Sequence, residues 1–434
     1  MPALPVGATR RTDYQSIEHN PEAKKVSKNA LLPLLLLLAT GYIQAADPAS
    51  WPPKTDGGNE WVDRDTGHRI VRLSRRENSN EVFYFHQNPF PPSGDMMVFM
   101  GHGTTGRCAF TVNLNTYDIR QITTVNTGFE VVSPRSGRLY YVSGDAVFST
   151  DPVTLETRKI TDVPHHYTWG RGLSINSDET LLAGCYCLGE EKYYQSDMPR
   201  KEWIRAIWKA KLPNAIYTIN VQTGEISEFY RVNEWLGHVQ FSPTDPTLIE
   251  FCHEGPGHEL DRMWTIRADG SELRRVHEKE FAKELQTHEF WSPDGTRIWC
   301  DFQRPAAAAR VLPLLYELTF PEHNLASLDT KTGKLTRYPI ARRYASRHFN
   351  ISPDQTLFCG DGEGGRLHLS PSQKWIFLYK PEGGRLKVER LCSMAGHHWK
   401  TGPEPNTHFT PDGKWVVFQS DLTSTTQVYA VAVR

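Results

Sequence analysis

A pattern of apolar and polar residues typical of a β-hairpin recurs along the chain. In its clearest form, a short apolar segment leads into Ser/Thr-Pro-Asp-Gly and an alternating apolar segment follows, as in FWSPDGTRIWC at 290–300 and HFTPDGKWVVF at 408–418. Alternation with a period of two is typical of β-strands, and Pro, Asp and Gly between two such segments favour a tight turn. Related hairpins begin at residues 88, 131, 173, 240 and 350, which gives seven units.

A second hairpin completes such a unit. Two of these are NAIYTINVQTGEISEFY at 214–230 and DRMWTIRADGSELRRVH at 261–277, so that a unit contains four strands. A four-stranded sheet cannot bury both of its faces alone, whereas seven sheets stacked around an axis can. The pattern therefore predicts an all-β fold, a seven-bladed β-propeller of four-stranded antiparallel blades, in one domain from residue 47 to 434. RIVRL at 69–73 is expected to join the last blade beside QVYAVAV at 427–433 and to close the ring.

The first 46 residues follow a different pattern. The apolar run ALLPLLLLLATGYI at 30–43 comes after a lysine-rich segment and before the small residues of QAADPAS. This order is typical of a signal peptide, here cut near Ala45 or Ala46. The run is short for a membrane span. We expect an exported protein, periplasmic or secreted, with no stable membrane span after cleavage; an uncleaved anchor is the alternative.

Composition excludes several classes of function. The formal charge of −1 does not suit a nucleic-acid-binding protein, which usually carries a basic surface. The seven cysteines are widely spaced and include no CxxC pair, so we expect neither a disulfide framework nor a zinc site. No Gly-x-Ser-x-Gly or phosphate-binding loop motif supports hydrolysis by a serine nucleophile or of a nucleotide. The sequence gives no indication of the oligomeric state.

Histidines recur at one position of the predicted inner strands, which precede the Pro-Asp turns and should line the central axis. Counting back four residues from each turn gives Gln87, Phe129, Gly172, His238, His288, His348 and Asn406. Glu404, two residues before Asn406, should share their face. Three imidazoles converging on one channel favour a functional site over structural histidines, because burial without partners is costly. By the same alternation, Glu289 should point away, and we assign it no catalytic role.

Other polar and aromatic residues should lie near the mouth of this channel. WLGH at 235–238, FCHEGPGH at 251–258 and DRMW at 261–264 contribute Trp235, His253, Glu254, His258, Arg262 and Trp264. Arg262 follows a Gly-Pro loop and can lean over the channel; a surface salt bridge is its alternative role. The segment RKEWIRAIWKAKL at 200–212 predicts an inserted helix, which could form a lid at the mouth.

Histidine bases, an arginine and a His/Glu/Asn cluster suit proton abstraction next to a carboxylate. The C5–H of a uronate is weakly acidic, and an arginine with a hard divalent cation on the carboxylate lowers the barrier to its removal. A histidine can then take the proton, and departure of the C4 oxygen completes a β-elimination. Oxygen-rich ligands with one imidazole fit Mn²⁺ or Ca²⁺ better than zinc.

WLGH, FCHEGP, DRMW, HEFWSPDG, HFNISPD, GDG and FTPDGKWVVF occur in this order, and together they resemble the oligogalacturonate lyase family. The resemblance covers roughly residues 60–434 and is strongest from 213 on. It implies a seven-bladed propeller that cleaves short pectic oligomers by β-elimination with the help of manganese. It also implies that His288 is the general base, that Arg262 neutralises the substrate carboxylate and that His348 is a metal ligand.

The last blade departs from the family pattern. Where the family has a Gln and a His-Pro-His, all metal ligands, this sequence has Thr401, Glu404 and Asn406. Glu and Asn can bind a hard cation, so we expect Glu404 and Asn406 to complete the site with His348, for Mn²⁺ or alternatively Ca²⁺. His397, His398 and His408 are further candidates. We assign substrate binding to His238, His253, Gln87, Trp235 and His398.

The sequence thus predicts a divergent lyase for short oligogalacturonates in pectin degradation. A lyase for another uronate-containing oligosaccharide and a non-catalytic sugar-binding propeller are the alternatives. The retained His288 and Arg262 argue against the last, because binding alone requires no base beside an arginine.

Overall fold

Seven antiparallel sheets follow one another along the chain as the blades of a β-propeller in the computed structural model. The structure describes residues 58–433 except 171, 194–197, 320, 363–374 and 400–401. The predicted signal peptide, residues 1–46, lies outside these described residues. Within them, no helix has the length and apolar character needed to cross a membrane. The seven-bladed all-β fold expected from the repeat is confirmed.

Each of blades 1 to 6 contains four strands that are consecutive in the chain. Blade 1 contains β3–β6, which are Asn80–Glu81, Met96–Gly103, Gly106–Asn113 and Ile119–Gln121. Blade 2 contains β7–β10, which are Gly128–Val132, Leu139–Ser143, Ala146–Thr150 and Thr157–Asp162. Blade 3 contains β11–β14, which are Ser174–Ile175, Leu181–Cys187, Asn214–Asn220 and Ile226–Val232. Blade 4 contains β15–β18, which are Leu236–Phe241, Leu248–His253, Met263–Arg267 and Arg274–Arg275.

Blade 5 contains β19–β22, which are Leu285–Trp291, Arg297–Arg304, Glu322–Asp329 and Leu335–Ile340. Blade 6 contains β23–β26, which are Phe349–Ile351, Phe358–Gly360, Trp375–Glu382 and Arg385–Ser393. Blade 7 contains β27–β29, which are His408–Phe409, Trp415–Ser420 and Gln427–Ala432, followed by β2, Arg69–Arg72, and β1, Glu60–Val62. The α-helices are α1, Arg200–Ala210, and α2, Ala307–Val311, and the 3₁₀ helices are His165–Trp169, Glu190–Tyr193, Pro313–Leu318 and Arg342–Tyr344.

The ring closes through the N-terminal strands. Ile70 of β2 pairs with Val431 of β29, as expected from the sequence. Strand β1 then adds to the outer edge through the pair Trp61 and Ile70, so that blade 7 has five strands rather than the predicted four. The two ends of the described chain are therefore held in one sheet.

The hydrophobic core is divided among the spaces between neighbouring blades. Seven buried clusters each join one blade to the next, including the cluster in which Val71 and Val417 of blade 7 pack with Phe99 and Phe110 of blade 1. All seven cysteines are buried and unbridged, as is usual for cysteine used as a small apolar core residue. Because both faces of a sheet pack against neighbours, the alternating strand residues serve the core, and the axis must be reached in another way.

A one-residue bulge provides that route. In blade 5, Thr287 pairs with Asp301 and Phe290 pairs with Trp299, so β19 carries one residue more than β20 between these pairs. The same excess occurs in the inner strands of blades 2 and 4. A bulge adds local twist and re-aims a side chain without shifting the register on either side.

Four residues at the predicted register position adopt a rare backbone conformation, and three of them, Phe129, His238 and His288, lie at these bulges. The left-handed φ angles are 54° for Phe129, 52° for His238, 56° for His288 and 48° for Asn406. Such φ values cost on the order of 1–3 kcal/mol for a non-glycine residue and are concentrated at functional sites. The expectation of simple alternation is corrected at Phe129, His238 and His288, because a bulge sets the direction of these side chains.

Candidate active site

Four aromatic or imidazole rings from four blades meet near the axis. The ring centroids of His288 and His348 lie 4.6 Å apart, and Tyr84 lies 5.4 Å from His348 and 5.8 Å from His238. Tyr84 precedes β4 of blade 1, whereas the histidines belong to the inner segments of blades 4, 5 and 6. The structure therefore brings together the three histidines that share the sequence register.

His288 is held by a carboxylate on the neighbouring strand. Its Nδ1 lies 2.9 Å from Oδ1 of Asp301, which also accepts a hydrogen bond of 2.6 Å from the hydroxyl of Thr287. Burial lowers the pKa of His288 well below its ordinary value, helped by His348 and Arg347. A neutral imidazole with Nδ1–H on Asp301 leaves the Nε2 lone pair available as a proton acceptor.

Arg262 contacts two carboxylates. Its Nε and NH2 each donate a 3.1 Å hydrogen bond to Glu289, and its NH1 and NH2 donate bonds of 3.0 and 3.3 Å to Glu254. The side chain of Glu289 is fully buried. Glu289, to which the sequence assigned no catalytic role, is therefore a direct partner of Arg262.

A second acidic group lies behind Glu289. Glu250, Cys252 and Glu289 offer ligand atoms within 4.8 Å of one another, and the thiol of Cys252 donates a hydrogen bond to Glu289. Burial and the charge of Glu289 raise the pKa of Glu250, and burial raises the pKa of the Cys252 thiol. Arg262 already neutralises the charge of Glu289. The cluster of Glu250, Cys252 and Glu289 is therefore better suited to orienting the guanidinium of Arg262 than to holding a cation.

The donors expected for a metal lie near His348, whose ring is 4.6 Å from that of His288. Nδ1 of His348 lies 2.6 Å from Oδ2 of Asp361, while its Nε2 is buried without a hydrogen-bond partner among the described residues. Oε2 of Glu404 is 3.7 Å from this Nε2, and the buried Oδ1 of Asn406 likewise has no partner there. This set offers one imidazole nitrogen and two oxygen donors, and it fits a hard divalent cation. The nitrogen of His348 and the oxygen of Asn406 are the two donors that are buried and unpaired among the described residues.

A family model described as oligogalacturonate lyase matches residues 59–364. The chain belongs to the oligogalacturonate lyase family. The oligogalacturonate lyase of Dickeya dadantii is 27% identical over 394 residues, which cover 86% of this chain and 95% of that protein. The oligogalacturonide lyase of Pectobacterium atrosepticum is 26% identical over 395 residues, with the same coverage of 86% and 95%.

Solved structures agree with this family. An oligogalacturonate lyase in complex with manganese is 25% identical, covers 86% of this chain and 96% of its own, and superposes with a TM-score of 0.73. An oligogalacturonate lyase from Vibrio parahaemolyticus is 24% identical with a TM-score of 0.74 over the same shares of 86% and 96%, and supports the fold.

The predicted substrate-binding residues of this oligogalacturonate lyase family member divide into two groups. His238 and Gln87 line a cavity of about 540 Å³ together with Tyr84 and His86, beside blades 1 and 2. His238 also lies 3.1 Å from Glu254 through its Nε2. These residues therefore form a concave surface next to Glu254, which pairs with Arg262.

The others do not join this cavity. The ring of His253 stacks on Trp264 at 5.1 Å. Trp235 is only 4% exposed, and its indole nitrogen donates to Glu190, so no face of the ring remains for a sugar. His398 is exposed and lies 2.8 Å from Asp421 through Nδ1.

The further candidate ligands are engaged elsewhere. His397 lies 2.8 Å from Asp421. His408 is buried with its Nε2 2.9 Å from the carbonyl oxygen of Phe83, and burial lowers its pKa to about 4. Thr401, which stands in the position of the family glutamine, lies outside the described residues. The donor set for a cation therefore rests on the three residues His348, Glu404 and Asn406.

The sequence reasoning missed Asp301, Tyr84 and His86. Asp301 follows His288 by 13 residues, and Asp361 follows His348 by the same 13, because equivalent hairpins place both carboxylates beside the histidines. This repeated spacing could have indicated from the sequence that Asp301 is a partner of His288. Tyr84 and His86 lie after β3, which has only two residues and gives no alternating pattern to count from.

The predicted helical insertion is present as α1. Its buried Ile207 packs with Cys187 and Trp235. Arg205 pairs with Glu259 at 2.8 Å, and Trp208 packs against Gly255, so α1 contacts the loop that begins at Glu254 and leads to Arg262. The helix thus lies beside the site, and its movement as a lid stays a prediction.

Proposed function

We propose that the protein is a lyase that cleaves short oligogalacturonates by β-elimination in pectin degradation. One observation carries this proposal. His288, whose Nδ1 is held by Asp301, lies beside residues suited to bind a metal, and its ring centroid is 4.6 Å from that of His348. Membership of the oligogalacturonate lyase family supports the reaction class and the substrate.

The residues suggest a role for each step. Arg262 would hold the uronate carboxylate and disperse the charge that develops when the C5 proton is removed. Nε2 of His288 would accept that proton. The C5–H electron pair forms the C4–C5 double bond while the bond from C4 to the glycosidic oxygen breaks, and the departing oxygen takes a proton, so that no water is added to the sugar.

A divalent cation would be held by His348, Glu404 and Asn406. When bound, it would supply Lewis-acid polarisation of the substrate carboxylate. We propose Mn²⁺ first, because a similar oligogalacturonate lyase is in complex with manganese. Ca²⁺ is the alternative, because two of the three donors are oxygens.

The substrate would lie in the cavity of about 540 Å³ beside His238. This size falls within the range of small-ligand pockets and limits the enclosed part of the substrate to a few sugar units. The altered ligands Glu404 and Asn406 are the observation that favours a second candidate, a lyase for another uronate-containing oligosaccharide.

One experiment tests both candidates. The purified protein is incubated with di- and trigalacturonate, and separately with other uronate oligosaccharides, in the presence of Mn²⁺ or Ca²⁺, and products are analysed by mass. Elimination gives fragments whose masses add up to that of the substrate, whereas hydrolysis adds one water. Absence of turnover across the whole set would reject the lyase and leave a sugar-binding propeller.

We further propose that the protein is exported, to the periplasm or beyond the cell. The lysine-rich segment and the apolar run at 30–43 support this, and both are features of a signal peptide. The mature N-terminus of the secreted or periplasmic fraction should begin after Ala45 or Ala46. Recovery of the uncleaved chain in the membrane fraction would instead indicate an anchor.

A further inference from the structure

The guanidinium of Arg262 is almost fully used by the protein itself. Four of its five N–H groups donate to Glu289 and Glu254, at distances between 3.0 and 3.3 Å. Paired carboxylates on an arginine satisfy its fork geometry and its charge. Little capacity is therefore left for a carboxylate of the substrate.

The two glutamates have different surroundings. Glu289 is fully buried in β19, accepts a further hydrogen bond from Cys252, and has its pKa lowered to about 2 because Arg262 and His238 outweigh the effect of burial. The side chain of Glu254 is 15% exposed and comes directly after the end of β16. Glu289 is thus fixed by the fold, whereas Glu254 stands at the start of a loop.

Glu254 also touches a second group of the site. Its Oε1 lies 3.1 Å from Nε2 of His238, which lines the cavity. One carboxylate is therefore bound by an arginine and an imidazole at the cavity wall. Those are the contacts that a uronate carboxylate entering from the cavity would need.

The charges around Arg262 do not allow a third carboxylate to be added. Burial and Glu289 raise the pKa of Glu250, and Arg262 donates its hydrogen bonds to the two glutamates Glu254 and Glu289. Another carboxylate within a few ångströms would meet like charges in a poorly solvated site, where repulsion is strong. One carboxylate has to leave before a uronate binds Arg262.

We propose that Glu254 occupies the place of the substrate carboxylate on Arg262 and His238, and that a uronate binds by displacing it while Glu289 stays as the fixed anchor. This inference rests on the proposed function, because it takes the ligand to be a uronate. It makes Glu254 a specificity-determining residue: only a group with the charge and two oxygens of a carboxylate can replace it at no net cost in hydrogen bonds. A neutral sugar of the same shape would leave Arg262 bound to Glu254.

The test compares Glu254→Gln with Glu289→Gln in the full protein with Mn²⁺, using binding of D-galacturonate measured by calorimetry. This monosaccharide has no glycosidic leaving group at C4, so binding is measured without turnover. Glu254→Gln should bind galacturonate more tightly, by up to about tenfold, because an uncharged amide competes less well for Arg262. Glu289→Gln should bind it at least about tenfold more weakly, because the anchor of Arg262 is weakened.

Two controls accompany the pair. Glu259→Gln removes a carboxylate from the same loop that pairs with Arg205 rather than Arg262, and should leave galacturonate affinity unchanged. Galactose, the neutral sugar of the same configuration, should not gain affinity in Glu254→Gln. Thermal unfolding of each variant identifies any loss of fold.

Weaker or unchanged galacturonate binding by Glu254→Gln would overturn the inference, because Glu254 would then only position Arg262 or take no part. Absence of galacturonate binding in every form would overturn it as well. Turnover of trigalacturonate by the unmodified protein decides the proposed function separately: with turnover, the lyase stands and the carboxylate binds elsewhere; without it, both proposals fall.

Discussion

Asp301 holds His288 across a hairpin, with its Oδ1 2.9 Å from Nδ1 of the imidazole. Asp361 holds His348 in the next blade at 2.6 Å by the same spacing in sequence. The propeller repeat has thus produced two similar His–Asp pairs side by side, and their surroundings give them different roles. In the first pair, the residue after His288 is Glu289, which holds Arg262, and the second pair lies beside the oxygen donor Glu404 before blade 7.

Replacement of His288 should abolish turnover while preserving the fold. His288→Asn is the preferred variant, because Asn tolerates the left-handed φ of 56° that alanine would strain. We expect turnover of trigalacturonate to fall by about 10²- to 10⁴-fold, as is usual when a general base is removed. Binding of galacturonate should persist. An active His288→Asn variant would contradict the assignment of the base.

Asp301→Asn should act on kcat more than on KM. An amide can donate to Nδ1 of His288 and so favour the tautomer whose Nε2 carries a proton and cannot accept another. A decrease in kcat of about 10- to 100-fold is expected, with KM little changed. Thr287→Val, which removes only the hydroxyl on Asp301, is the matched control and should have a smaller effect. Equal loss in both variants would indicate a structural role instead.

Cation binding should depend on the altered residues of blade 7. Glu404→Gln should weaken binding of Mn²⁺ and Ca²⁺, measured by calorimetry without substrate, because a charged oxygen donor is lost. The double change Glu404→His with Asn406→His should raise the preference for Mn²⁺ over Ca²⁺, since imidazole suits the transition metal. His398→Ala, at an exposed histidine paired with Asp421, is the control. Unaltered cation binding in Glu404→Gln would remove Glu404 from the site.

The repeated Ser-Pro-Asp-Gly turn should contribute a measurable acid sensitivity. Burial raises the pKa of Asp294, but hydrogen bonds from the hydroxyl of Ser292 at 2.6 Å and the amide of Thr296 at 3.0 Å outweigh this and lower it to about 2. A carboxyl group whose pKa is lower in the folded than in the unfolded protein stabilises the fold at pH values above its unfolded-state pKa, which is near 4. This contribution is lost as the pH falls from about 4 through about 2. Asp294→Asn removes the titrating group.

Urea unfolding at several pH values measures this contribution. The difference in midpoint between the unmodified protein and Asp294→Asn should be largest above pH ~4.5 and should shrink toward pH ~2. A difference that stays constant with pH would show that the carboxylate charge in this turn does not matter.

Gly255 should be intolerant of a side chain. Its φ is 141°, and a Cβ atom there would lie 2.5 Å from Cδ1 of Trp208 in α1. Gly255→Ala should therefore strain the loop and displace α1, at a cost of about 1–3 kcal/mol in the free energy of unfolding. Proteolysis near residues 200–212 should become faster. Unchanged proteolysis would mean that α1 is held by Ile207 and its neighbours alone.

The sequence was sufficient for the architecture because the hairpin signal repeats. The turns at Ser292 and Thr410 mark blades by composition alone, and the pairing of Ile70 with Val431 follows from two short apolar segments at opposite ends of the chain. The position of His288 beside His348 could likewise be counted from the turns. Such inferences need only local periodicity and the number of blades.

The remaining features depend on geometry that periodicity does not encode. A bulge is a local backbone choice, so the contact of Glu289 with Arg262 could not be read from alternation, which places Glu289 away from the channel. The burial of Trp235 could not be read from the strand pattern, because it depends on how the inserted helix α1 packs against it. Tyr84 was missed because β3 is too short to give a pattern.

The closure of the ring by β2 and β29 also has a consequence for synthesis of the chain. Strand β2 is made before blades 1 to 6, but its partner, Gln427–Ala432, is made only after them. Blade 7 therefore has no complete sheet until β29 has left the ribosome, and we expect Glu404 and Asn406 to reach their final positions beside His348 only then. The site that we assign to a cation is thus completed after the other blades, so that a chain truncated before β29 would lack both a closed ring and this donor set.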